Sequence, residues 1–159
     1  MQSAHPPQRG QSGFTLIELL SVIGVAGVLT AAAIPRLTAL AGEARFASLQ
    51  VAQGALSSVA ASAHGQFMVD GDDTQHFEDI PVAMVNGYPA ASQALTEAAG
   101  LAQGYTVYPT DGGAIIIVPK GLADTGAAAR CQLIYTQSPA PQTPPTVALG
   151  ADASAATCG

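Results

Sequence analysis

From Phe14 to Ile34 the chain runs through one apolar stretch, FTLIELLSVIGVAGVLTAAAI, broken by a single charge at Glu18. As a helix it is about 32 Å long at 1.5 Å per residue, which matches the hydrocarbon core of a bilayer. A buried helix of a soluble protein is rarely apolar on all sides for so long, so the stretch reads as a membrane span. Glu18 is the anomaly. On insertion scales an acid deep in a membrane helix costs roughly 2.5–3.5 kcal/mol, so it needs both a role and a partner.

Residues 1–13, MQSAHPPQRGQSG, are polar and lack any apolar run, so they cannot be the hydrophobic region of a secretory signal and read as a leader. Charge does not orient the span: Arg9 precedes it, while Arg36 and Arg45 follow it. With five basic against eleven acidic residues and a net charge of -6, the chain has no basic cluster for a phosphate backbone. Nucleic acid is therefore not expected as a primary partner.

Beyond Pro35 helical spacing continues in two apolar stripes. One comprises Leu37, Leu40, Ala44, Ala47 and Val51, the other Phe46, Leu49, Leu56 and Val59. An amphipathic half-helix is expected over 35–63, with Gly65 just past its end and Pro35 kinking it or removing one of its hydrogen bonds. Residues 66–88, with Asp70, Asp72, Asp73, Glu78 and Asp79, read as an irregular connection. A short helix is expected over 88–100, ending at Gly100. GYTVYP, the turn TDGG and AIIIVP predict an antiparallel hairpin with strands near 105–108 and 114–118. CQLIYT at 131–136 is a third strand candidate, and the Pro-rich tail has at most a short strand at Thr146 to Leu149. The expected architecture is α+β: one long N-terminal helix, its outer half packed on a small antiparallel sheet of three or four strands.

Cys131 and Cys158 match no zinc spacing, and no His follows His76 to complete a site. In a chain that crosses into an oxidising compartment, one disulfide is the simpler reading and two free core thiols the other. A bridge would staple the C-terminal tail and add about 3.5 kcal/mol in the chain-entropy model. The Pro-rich part of that tail is expected to be an exposed loop.

The junction Gly13-Phe14 after a polar leader, Glu18 five residues beyond Gly13, the apolar run and AAAIPRL together resemble the N-terminus of type IV pilins and the related pseudopilins. NGYPAASQALTEAAGL, the CQLIYTQ strand and a terminal Cys after PPTV resemble the mannose-sensitive haemagglutinin type of pilin. The leader carries one basic residue where relatives often have more. The resemblance implies a pilin fold and a structural filament subunit, not an enzyme. It implies cleavage after Gly13 and methylation of the Phe14 amine by a prepilin peptidase, with Glu18 as an assembly residue. It divides the chain into a leader (1–13), a transmembrane or filament-core helix (14–34), an amphipathic half-helix (35–63) and a head (64–159). It also implies an inner-membrane protein of a Gram-negative bacterium before assembly, with a cytoplasmic N-terminus and a periplasmic head. Its partners would be the membrane, the peptidase, the pilus assembly machinery and, at the cell surface, copies of itself. A pseudopilin of a type II secretion system shares the N-terminal features and is the alternative.

A plain signal anchor would explain the span but neither the Gly-Phe junction nor Glu18. The residues carry no GxSxG, HExxH or phosphate-binding loop, and no cofactor is implied. His64, His76, Glu78 and Asp79 could ligate a metal but have no recognised spacing, so they read as a solvated polar loop. Asp-Gly-Asp-Asp at 70–73 lacks the calcium-loop pattern and reads as a turn. Tyr88, Tyr105, Tyr108 and Tyr135 read as half-buried packing residues before they read as a glycan-facing surface.

Overall fold

The structure, a computed structural model, describes residues 14–159. It divides into two compact units between Leu37 and Thr38. Helix α1 (Leu16–Asp70) contributes to both and is helical through Pro35, although proline has no N–H to give the carbonyl four residues back. In the first unit the stretch Leu16–Ile34 is long and apolar enough to cross a membrane, and none of it is buried. Its large side chains stand in the open, from Leu19 at 53% exposed to Leu16 at 85%. Its hydroxyls are turned back on the helix: Ser21 donates to the Glu18 carbonyl at 2.8 Å and Thr30 to the Ala26 carbonyl at 2.7 Å. Such back-bonding keeps both hydroxyl hydrogens on the helix itself.

The second unit is α+β. A three-stranded antiparallel sheet comprises β1 (Thr74–Phe77), β2 (Ile80–Val85) and β3 (Tyr88–Pro89) in that order. A four-stranded antiparallel sheet comprises β4 (Tyr105–Thr110), β5 (Ala114–Pro119), β6 (Leu133–Thr136) and β7 (Thr146–Leu149), also in sequence order. Helix α2 (Gln93–Ala98) lies between the two sheets in sequence. The hairpin read from GYTVYP and AIIIVP is present, with Thr110 paired to Ala114 and Gly113 at φ +68° closing the three-residue loop.

The core forms where one stripe of α1 meets the strands. Leu49, Ala52, Leu56 and Ala60 are buried at three- and four-residue spacing against Ile115, Ile117, Leu133 and Tyr135, and Ala63 continues the buried stripe. Large β-branched residues on alternate positions of β5 supply the facing layer. Burying a Leu or Ile side chain contributes roughly 1.5–3 kcal/mol, so this seam dominates the unit's stability.

Three expectations are corrected. The amphipathic part of α1 does not stop at Ala63 but runs to Asp70, with Gly65 inside it and Gly71 at φ +73° taking the cap position. Tertiary contacts of His64 and Phe67 hold those extra turns. The irregular connection over 66–88 is the end of α1 followed by β1 and β2. The short helix begins at Gln93, because Tyr88-Pro89 is a strand and the Ser92 hydroxyl accepts the Leu95 amide at 3.4 Å as N-cap. Its last helical residue is Ala98, and the expected stop at Gly100, φ +72°, lies just past the cap, where the amides of Gly100 and Leu101 return to the carbonyls of Glu97 and Thr96. That pairing is a Schellman motif.

Of the two stripes, the second packs within the chain: Phe46, Leu49, Leu56 and Val59 join the core. On the first, Leu40 and Val51 are 57% and 73% exposed. Ala44 and Ala47 are exposed with them.

Candidate functional site

The N-terminal end of α1 is built by its own sequence. Thr15 precedes the helix, and its hydroxyl accepts the Glu18 amide at 3.3 Å. Thr-Leu-Ile-Glu is the arrangement of a capping box, in which the first side chain satisfies the orphan amide three residues on. Glu18 therefore stands in the first helical turn, where a carboxylate is favoured by the helix dipole. This local role was visible in the spacing Thr15 to Glu18 but was not read from it. Phe14 is 84% exposed and Leu16 85%. Gly13 and the proposed leader lie outside the described residues.

Farther along, Gly24 and Gly27 have nothing within 4 Å of a Cβ added to either. Each costs about 1 kcal/mol of helix stability relative to alanine, and no contact among the described residues requires it. Small side chains here keep the helix surface open to close approach by another helix.

The second region is the C-terminal staple. Cys131 and Cys158 form a disulfide spanning 27 residues, with Cα atoms 5.1 Å apart. Arg45 donates from Nη1 to the Cys158 carbonyl at 2.9 Å, and Gln53 donates to the Val147 carbonyl at 2.8 Å. Two polar side chains of α1 thus hold the edge strand and the tail. Residues 139–144 are exposed, as expected of the Pro-rich loop, but Ser138 before them is buried. Its hydroxyl donates to the Ala140 carbonyl at 2.8 Å and its own carbonyl accepts from Asn86 at 3.0 Å.

The metal candidates are dispersed. His64 pairs Nδ1 with the Gly87 carbonyl at 2.7 Å and stacks on Tyr88 with ring centroids 4.0 Å apart. His76 is exposed on β1, and Glu78 and Asp79 form the β1–β2 turn. Among the described residues no three His, Cys, Asp or Glu side chains gather as a metal site. Asp70-Gly-Asp-Asp73 is a turn. The Asp70 carboxylate accepts the Asp72 amide at 3.0 Å and the Gln75 side chain at 2.8 Å. These two bonds, the Asp72 amide first, hold its pKa below the usual 3.8.

The tyrosines divide by neighbourhood. Tyr135 is fully buried and Tyr108 is 38% exposed. Tyr105 donates to the Ser48 carbonyl at 2.8 Å, and Tyr88 serves as the platform for His64.

Residues 8–34 match the family model described as the prokaryotic N-terminal methylation motif. The match supports a type IV pilin-like or pseudopilin-like protein, a structural class processed by prepilin peptidase. Comparison with curated proteins and with solved structures finds no match.

Proposed function

We propose that the chain is a prepilin whose mature form is a structural subunit of a type IV pilus. The observation that carries this is the coincidence of the methylation motif over residues 8–34 with a helix stretch whose large apolar side chains are all left open to the outside. In this reading the leader 1–13 stays cytoplasmic, and the peptidase cuts after Gly13 and methylates the Phe14 amine. Residues 14–34 hold the subunit in the inner membrane of a Gram-negative cell, with the disulfide-bearing head in the periplasm. The helix then leaves lipid for the core of a filament of its own copies. Gly24, Gly27 and Ala31 to Ala33 permit the close approach that such a core needs. The head, with its exposed 139–144 loop, faces outward for surface attachment, and the resemblance of its middle and end points to the mannose-sensitive haemagglutinin type.

The test is to shear surface filaments from cells producing this chain and identify their main component. Filaments built mainly of this chain, lost with surface attachment on its deletion, are the expected result. Absence from any filament, with protein export failing on deletion, would replace this reading with a type II secretion pseudopilin.

A further inference from the structure

Residues 150–159 wind into a knot that closes on α1. Thr157 is its hub, its hydroxyl accepting the Ser154 amide at 2.9 Å and lying 2.7 Å from the Asp152 carbonyl and 3.3 Å from that of Arg130. The Cys158 amide donates to the Ser154 carbonyl at 3.1 Å. On the α1 side Arg45 holds the Cys158 carbonyl. Gly42 is buried beneath the tail: a Cβ there would overlap the Ala155 carbonyl oxygen and stand 3.0 Å from Gly159 Cα. The third attachment is the disulfide, and neither cysteine has any solvent exposure.

That burial has a chemical consequence. A thiolate has to reach a sulfur to break the bond, and both sulfurs are covered while the tail is seated. A local opening that frees Cys158 must therefore precede reduction, and Gly42 and Arg45 are where the tail meets α1. Once reduced, the tail is held to α1 by one hydrogen bond and a close backbone contact, and a segment held by so little opens early.

We propose that residues 150–159 form a redox-controlled clasp on the Gly42–Arg45 turn of α1. With the clasp closed, the head's grip on α1 begins at Gly42. A dithiol attacks one sulfur to give a mixed disulfide, and its second thiol displaces the protein cysteine. Two electrons and two protons pass to Cys131 and Cys158, and the dithiol leaves as a cyclic disulfide. With the clasp open, the grip begins instead at Phe46 and Leu49, whose core holds Ile115, Ile117, Leu133 and Tyr135 of the strands besides Cys158 of the tail. The clasp operates whether or not the chain polymerises.

Hydrogen exchange read by mass spectrometry on the full chain in detergent, oxidised and then fully reduced with dithiothreitol, tests this. Amides 42–48 and 152–158 should exchange on the order of tenfold faster after reduction, with 52–63 unchanged. In the oxidised protein Arg45→Gln, and independently Gly42→Ala, should speed disulfide reduction on the order of tenfold, since each weakens the seat that hides the sulfurs. Unchanged protection at 42–48 after reduction would overturn the clasp, as would wild-type reduction rates in both variants. Loss of protection at 52–63 together with 42–48 would also overturn it, making the disulfide a staple of the whole head.

Discussion

The hydroxyl of Tyr135 on β6 donates to the carbonyl of Pro89 on β3 at 2.7 Å, with both residues shut off from solvent. This bond joins the four-stranded sheet to the three-stranded one. Around it the Ala91 amide donates to the Gln137 side chain at 3.1 Å and Asn86 reaches the Ser138 carbonyl. The end of β6 and the β2–β3 hairpin are thereby sewn together.

Tyr135→Phe keeps the ring and leaves the Pro89 carbonyl without its donor, so it should destabilise the head by about 1–3 kcal/mol. Urea unfolding followed by near-ultraviolet circular dichroism measures this. Burial also pushes the Tyr135 hydroxyl's pKa well above the usual 10.0. A raised folded pKa means that the unfolded chain loses this proton first, so stability is full below pH 10 and falls as pH rises beyond it. The Phe variant should lack that part of the alkaline loss, and equal alkaline slopes would remove the assignment.

Gly87 turns β2 into β3 with φ +81°, following Asn86 at φ +54°. A Cβ on Gly87 would stand 2.9 Å from the Phe67 ring. Gly87→Ala combines left-handed strain with this crowding and should cost about 1–3 kcal/mol. The last turns of α1 lean on this hairpin through His64 and Phe67, so hydrogen exchange at residues 64–70 should quicken in the variant. Unchanged exchange there would mean that α1 keeps its end without the hairpin.

Asn-Gly between Val85 and Tyr88 is also where the sequence was most informative and least used. The dipeptide is a strong hairpin signal, yet β1 has one large apolar residue, Phe77, and β2 carries Pro81, so neither strand alternates clearly. Pro81 is tolerated because β3 pairs only with Met84 and Val85, leaving one side of β2 open at the proline. The strands from Tyr105 onward were legible because isoleucine and valine runs sit between glycine turns. The span was legible by length alone. The buried face of α1 was not, because Ala44, Ala47, Ala52, Ala60 and Ala63 place the same small side chain on opposite faces. Only Leu49, Leu56 and Phe46, meeting Ile115, Ile117 and Tyr135, decide between them. The Thr15 cap was legible from a four-residue pattern that the apolar run masked.

Processing after Gly13 predicts a mature chain that starts at Phe14 with a methylated amine. Intact-mass measurement on filaments or membranes should find the chain lighter by residues 1–13 and heavier by one methyl group. A mass that retains the leader would refute the prepilin reading.

Glu18 carries the sharpest test, because two physical roles compete for it. At the last position of a capping-box sequence its side chain would need only to reach back toward the Thr15 amide, and Gln would serve nearly as well as Glu. As an assembly residue it needs its charge. The proposed cleavage would create an ammonium on Phe14 at the edge of an apolar segment, and an unpaired charge there is costly. A carboxylate four residues on can meet it in the same chain or in a neighbour, and the attraction strengthens as water is excluded, so the pair would favour entry of a subunit in correct axial register. Glu18→Ala should leave leader removal and membrane insertion near normal while abolishing or sharply reducing filaments. Glu18→Gln, which keeps the cap and removes the charge, should fail like alanine. Normal filament yield from the Gln variant, with no native subunit present, would assign Glu18 to the helix cap and not to assembly.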